Sequence, residues 1–431
     1  DAKTGEPDPS FGDGGKVDLT LGLGREIDRS MVANSAALTI VGDIVILGGV
    51  VYDDPMFDRI PTKLTDVPPG HIRGFDLNTG AQKWIFHTIP QQGEFGNESW
   101  ENDSWKVTGA TNVWTMMSAD PELGYVYLPI GTPGNDWYGG QRLGDNLFGT
   151  SIVCLDAATG ERIWHYQLVH HDVWDYDNGS QPILFDMEVD GEPVKALAQA
   201  NKNGWLYILN RETGEPVHSV IETPVSTETD RPGEQPWPTQ PIPHKANGER
   251  MEPVSPVYPT DIPAQHMEAN NLVEQFTPIG PNQIFSPGYG GGSSYSPISH
   301  SPLTGLLYVA AIDQPFNSGR DPKGYFSAYD PTTGELIWRQ IFEGYGQAGS
   351  VVTAGGIVFV GAGSNIAGYF YAYDAETGEQ LWKFNTGAGV FASPSVYVID
   401  GQEYVTVASG GGSRGRRGGD LILTFALPER N

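Results

Sequence analysis

Three aspartates and two histidines crowd into His170-His171-Asp172-Val173-Trp174-Asp175-Tyr176-Asp177. A carboxylate held in a dry pocket accepts a proton at neutral pH, so this segment can supply a general base. The same residues also suit a loop whose aspartates bond nearby amides, and a histidine pair suits a metal. Residue types alone leave these readings open. Lys202 follows in AQANKNGWLYIL, an apolar strand setting where a lysine is unusual unless it is paired or bound to something.

The elements that must position these residues announce themselves as a repeat. Residues 75–84 read FDLNTGAQKW, 155–164 LDAATGERIW, 329–338 YDPTTGELIW and 373–382 YDAETGEQLW. A weaker copy, LNRETGEPV, lies at 209–217, and the chain opens on a similar DAKTGEP. The spacing predicts a strand ending at the Asp. A turn follows, in which Asp and Thr bond backbone amides and Gly takes positive φ. The Trp then opens the next strand and packs between sheets. Further β-rich runs precede the copies: IVILGGVVY, GYVYLPIG, LLYVAAI and GIVFVGAG. Four strands per unit and no long amphipathic helix predict an all-β fold, a β-propeller of four-stranded antiparallel blades. The closest repeat glycines, Gly334 and Gly378, are one blade apart; wider gaps leave room for inserted loops. We expect a single domain over 1–431, with a long loop-rich insertion at about 218–290. The chain begins inside what should be a blade, so the N-terminal part of the propeller is expected to be missing.

Composition narrows the functional classes. Lys plus Arg number 25 against 53 Asp plus Glu, a formal charge of −28 over 431 residues. That disfavours nucleic acid and anionic lipid as partners. The single cysteine, Cys154, excludes an intramolecular disulfide and a Cys-based metal cluster. No run approaches the about 18 apolar residues of a transmembrane helix. The basic patch SRGRRGG at 413–419 reads as a solvated loop.

The DxxTGxxxW repeats resemble the tryptophan-docking motifs of the eight-bladed quinoprotein dehydrogenases, which use pyrroloquinoline quinone (PQQ). HHDVWDYD resembles that family's active-site segment, NKNGWLYILNRETG at 201–214 its following strand and turn, and residues 381–412 its closing blade. PWPTQPIP at 236–243 is similar to the membrane-type glucose, quinate and polyol branch. Two of the family's features are lacking: the adjacent cysteine pair of the alcohol-oxidising branch and a Cys-x-x-Cys-His haem motif.

The resemblance implies oxidation of an alcohol or sugar hydroxyl by hydride transfer to PQQ. It makes Asp175 the base, leaves Asp172 to hold the turn, and sets Lys202 against the quinone oxygens. Ca²⁺, or Mg²⁺ or another cation, would be held by Asp53, Asn135 and Asp175, with Asp54 and Asp136 as neighbours. Trp114 would stack on the ring, with Thr111, Asn112, Ser293 and Ser294 lining the pocket. Trp84, Trp164, Trp338 and Trp382 would only dock blades. The expected partners are a small alcohol or sugar and an external quinone or cytochrome c acceptor, in the periplasm or outside the cell. The rival expectation is a non-catalytic propeller acting as a binding or assembly module.

Overall fold

The computed structural model describes residues 1–51, 67–364, 367–411 and 418–426. Asp53, Asp54 and most of the 413–419 patch lie outside them. Besides three two-stranded pairs, the described residues form six antiparallel sheets of three or four strands in chain order. The first joins Thr39–Val41, Ile44–Leu47, Ile72–Asp76 and Gln82–Phe86. The second joins Ser118–Asp120, Tyr125–Pro129, Ser151–Asp156 and Arg162–Gln167. The third has Ile183–Val189, Glu192–Ala200 and Leu206–Asn210. The fourth joins Ser299–His300, Leu307–Asp313, Lys323–Asp330 and Glu335–Glu343. The fifth joins Ser350–Val352, Ile357–Gly363, Gly368–Asp374 and Gln380–Asn385. The sixth has Ser395–Ile399, Gln402–Gly411 and Gly418–Ala426. The first strands of the first five sheets lie against one another in succession.

The repeat turns fold alike. Asp76 Oδ1 accepts the amides of Asn78 and Thr79 and the Thr79 hydroxyl, and Asp156 and Asp374 repeat the pattern. The opening DAKTG turns likewise, with Asp1 Oδ1 accepting from Lys3 and Thr4. The glycine takes positive φ, +74° at Gly160 and +73° at Gly378. The strand register then slips by one residue just before each tryptophan. This bulge leaves Ile163, Ile337 and Leu381 in solvent and turns the ring inward. Opposite each ring stands a small residue: Gly74, Cys154, Ala328 or Ala372. The lone cysteine is therefore a packing residue, and burial pushes its thiol up.

Three tryptophans donate Nε1–H across to the next sheet. The acceptors are the Ala157, Arg211 and Ala375 carbonyls, at 3.1, 3.1 and 3.2 Å. Each ring lies over the next sheet's turn glycine, where a Cβ would come within 2.6 Å of it. The third sheet has His218 at the tryptophan position. Its Nε2 reaches the Pro331 carbonyl at 2.8 Å, the equivalent acceptor in the fourth sheet. The weaker copy docks by the same bond with a smaller ring.

The insertion carries a hairpin, Val220–Pro224 with Thr239–Pro243, and a helix, Ala264–Ala269. No helix among the described residues is long and apolar enough to cross a membrane.

Antiparallel order fixes which end of the molecule carries what. The DxxTG turns join third to fourth strands at one end. The connections from second to third strand, and from sheet to sheet, gather at the other. The second-to-third connections hold Asn135 in the second sheet and Lys202 in the third. The sheet-to-sheet connections hold Thr111, Asn112 and Trp114, then Asp175, then Ser293 and Ser294. The topology thus delivers these residues to one face from far-apart stretches of chain.

Candidate active site

The 170–177 segment folds around Asp172. This buried carboxylate accepts the Trp174 and Tyr176 amides and the hydroxyls of Thr132 and Thr150. It is committed to the turn, although burial raises its pKa. The histidines are committed elsewhere. His170 Nδ1 contacts Gln167 Oε1 at 2.6 Å and its Nε2 contacts Glu222 Oε1 at 3.0 Å. His171 Nδ1 donates to the Gly144 carbonyl at 2.7 Å. Burial, helped by Arg142, lowers its pKa to about 3, so the ring is neutral.

Asp175 takes the left-handed region, φ +60°, a strained conformation for a non-glycine residue. Its Oδ1 accepts from Lys202 Nζ at 2.6 Å, and the same ammonium donates to Asp177 Oδ2 at 2.9 Å. All three side chains are largely buried, exposed by 17%, 7% and 14% for Asp175, Lys202 and Asp177. Asp177 is the better anchored carboxylate: its Oδ1 accepts the Thr132 amide at 2.7 Å. A Cβ on Gly131 would sit 2.4 Å from that oxygen, so only glycine allows the approach.

The charges divide accordingly. Burial pushes the Asp175 carboxyl well above the usual range; Lys202 opposes this and Asp177 adds to it. Burial pushes Asp177 the same way, but Lys202, the bond from Asp175 and the Thr132 amide outweigh it and hold it low. Burial disfavours the Lys202 ammonium, and the two carboxylates more than restore it, raising its pKa. Asp175 is thus the proton acceptor of the pair, beside a permanent cation.

The other predicted residues close around this triad. Asp177 O accepts the Gly179 amide, and Gly179 pairs with Ser294. The Trp114 ring is half-buried and packs over Gly179, where a Cβ would lie 3.0 Å from it. Tyr295 lies beside that ring at 4.7 Å between centroids. The Ser293 amide bonds the Asn201 carbonyl at 3.1 Å, next to Lys202. Its Oγ is fully buried and has no partner among the described residues. Thr111 is buried at φ +53°, its amide on the Thr132 carbonyl. Asn112 Nδ2 donates to the Gly49 carbonyl at 2.7 Å, and the Asn112 carbonyl accepts the amide of Gly131, the glycine beside Asp177. Asn135 joins the base segment through Arg142, whose guanidinium bonds the Asn135 and Asp172 carbonyls and Asn146 Oδ1. Sequence reasoning assigned no role to Asp177, Tyr295 or Arg142. Asp177 carried a signal only as one of three aspartates in HHDVWDYD.

Residues 1–318 and 340–405 match the family described as PQQ: Glucose/ethanol/alcohol dehydrogenase, beta-propeller domain. The chain belongs to this family. This PQQ-family propeller is 28% identical, over all of its length, to the glycerol dehydrogenase large subunit of Gluconobacter thailandicus, and spans 68% of that protein. It is 36% identical over 56% of its length to the quinate/shikimate dehydrogenase (quinone) of Acinetobacter baylyi, spanning 28% of that protein. The crystal structure of the quinohemoprotein alcohol dehydrogenase from Comamonas testosteroni superposes with a TM-score of 0.69 at 25% identity. That match covers 93% of this chain and 61% of the other.

The residues of this PQQ-family chain fit the planar quinone. Trp114 offers an aromatic face, Lys202 a buried ammonium, and Ser293 an unspent buried hydroxyl. Of the expected cation ligands, Asn135 and Asp175 are described and Asp53 is not. Ca²⁺ takes roughly six to eight oxygens. Asn135 Oδ1 already accepts the Trp137 amide and Asp175 Oδ1 the Lys202 ammonium. No grouping of three or more His, Cys, Asp or Glu that could hold a metal exists among the described residues. The Asn135 and Asp175 side chains both keep further oxygen lone pairs that a cation could use, and the chemistry below is carried by Asp175 and Lys202.

Proposed function

We propose that this chain is the catalytic propeller of a PQQ-dependent dehydrogenase that oxidises an alcohol, polyol or sugar hydroxyl. The observation that carries the proposal is the buried Asp175–Lys202–Asp177 triad beside Trp114. Burying three charges is costly, and such clusters gather at functional sites.

Bound PQQ supplies the two-electron acceptor, which the protein itself lacks. Trp114 holds the ring plane. Asp175, raised in pKa and aimed from a strained backbone, takes the substrate hydroxyl proton as the carbon gives up hydride. Lys202 stays charged throughout and stabilises oxyanion charge as it develops. Asp177 keeps its bond to Lys202 when Asp175 is protonated, so the lysine does not drift. The two electrons then pass to an external quinone or cytochrome c acceptor, and we place the reaction in the periplasm or outside the cell.

The test is reconstitution with PQQ and Ca²⁺, followed by dye reduction with a panel of sugars, polyols and simple alcohols. The protein should reduce dye with at least one class. Asp175→Asn should lower kcat by roughly 10³-fold or more while PQQ binding, read from its absorbance, persists. Full activity in that variant would remove Asp175 as the base.

A further inference from the structure

The insertion between 218 and 290 reaches back to the loop that carries Asn135. That loop, residues 130–150, runs between Tyr125–Pro129 and Ser151–Asp156 of the second sheet. Around Asn135 it has glycines at 134, 139, 140 and 144, so the chain alone does little to fix its shape. Something outside the loop must hold it.

Asn135 takes its orientation from Trp137. Its Oδ1 accepts the Trp137 amide at 2.8 Å, so the side chain goes where Trp137 goes. The other backbone group of Trp137 is held by the insertion: the Trp137 carbonyl accepts from Arg231 Nη1. The Arg231 guanidinium also lies over the Tyr138 ring, 5.0 Å from its centroid, and the Tyr138 hydroxyl donates to the Pro232 carbonyl. The Gly139 amide donates to Glu234 Oε1 at 3.4 Å. Three consecutive loop residues are thus met by Arg231, Pro232 and Glu234.

The charged pair that does this is buried. Arg231 Nε lies 3.4 Å from Glu234 Oε2, with the side chains 10% and 0% exposed. A buried ion pair returns little net stability against its desolvation; what Arg with its planar fork secures is geometry. On its other side the same loop is tied to the base segment. Arg142 bonds the Asn135 and Asp172 carbonyls, and the His171 ring packs on Gly139, where a Cβ would lie 2.1 Å from Nε2. Asn135 itself is 3% exposed, and its Nδ2 is buried with no partner among the described residues. Its Oδ1 keeps a second lone pair. A buried amide left half unspent marks a side chain with something further to bind.

We propose that Arg231 and Glu234 are positioning residues: from the insertion they set Trp137, and through it they hold Asn135 as a cation ligand of the active site. This rests on the dehydrogenase reading and gives the insertion a part in it.

The experiment follows PQQ uptake by the cofactor-free protein at graded Ca²⁺, read from the absorbance of the bound quinone. Arg231→Met should raise the Ca²⁺ concentration for half-maximal uptake roughly 10- to 100-fold, as loss of a group that orients a metal ligand does. Saturating Ca²⁺ should restore full uptake, which a folding defect would not allow. Arg231→Lys keeps a donor for the Trp137 carbonyl and should return most of the affinity. Glu234→Gln keeps an acceptor for the Gly139 amide and should cost only about three-fold. An unchanged half-point in Arg231→Met, or uptake that no Ca²⁺ concentration restores, overturns the positioning role. Should the wild-type protein take up no PQQ, that failure falls on the dehydrogenase reading, and hydrogen exchange on the cofactor-free protein decides the role of the pair. Faster exchange of residues 135–142 in Arg231→Met, with Tyr125–Pro129 and Ser151–Asp156 unmoved, supports it. Exchange unchanged in the loop, or raised in those strands as well, overturns it.

Discussion

The two ends of the propeller use the same residue type in opposite ways. At the turn end, Asp76 closes a third strand, accepts local amides and a hydroxyl and pairs with Lys83 at 3.0 Å. Its pKa falls to about 2, the Lys83 contact contributing most. Strain there is delegated to glycine, as at Gly80, φ +72°. At the loop end, Asp175 is buried, takes the left-handed region itself and is raised in pKa. One aspartate is satisfied by its own turn. The other depends on a lysine from a different sheet and retains an appetite for a proton. The turn end spends its interactions on stability and the loop end holds them in reserve, which is where chemistry is expected.

The sharpest break of that comparison is a docking tryptophan. Trp164 is buried, bonds the Arg211 carbonyl and covers Gly214. Trp164→Ala removes the ring and its bond and should cost about 3–5 kcal/mol, read by urea denaturation. Asp175→Asn should leave that midpoint nearly unmoved, because Lys202 keeps Asp177. A midpoint unchanged in Trp164→Ala would mean that the repeat is decoration.

Asp177 tests the loop end from inside. Asp177→Asn should lower kcat roughly 10- to 100-fold, through a lysine that loses one of its two charged partners. The pH profile carries the sign. Burial dominates the rise in Asp175, and the Asp177 charge adds to it. Removing that charge lowers the Asp175 pKa, so the acidic limb of the rate profile should move to lower pH. A limb that stays put while kcat falls would make Asp177 a structural anchor only.

How far the sequence could be read follows the same divide. The turn end was legible because Asp, Thr, Gly and Trp act within ten residues of one another, so covalent spacing fixes their contacts. Even there His218 passed unnoticed: it takes the docking role from a position where the ring type had changed. The loop end is assembled from separate sheets. HHDVWDYD displayed three aspartates, and nothing local distinguishes Asp172, spent on Thr132 and Thr150, from Asp177, spent on Lys202. The Asn112 side chain spans to Gly49, a contact that no spacing rule foretells. Asp53 lies outside the described residues.

The smallest expected effect comes from a substitution that the molecule has already made. In the third sheet Asn210 replaces the turn aspartate, and its Oδ1 accepts the amides of Glu212 and Thr213 at 2.8 and 3.2 Å. An amide oxygen therefore suffices for the turn, and charge adds only the exposed lysine contact. Asp76→Asn should keep the fold and lower the thermal midpoint slightly at neutral pH. The aspartate's folded pKa lies below its unfolded value of 3.8, so its advantage is complete above that value and fades as the pH falls toward about 2. Wild-type and variant midpoints should accordingly converge over that window. A gap that persists to the acid end would show that the turn needs the aspartate for its shape rather than its charge, and the contrast with Asp175 would then rest on burial alone.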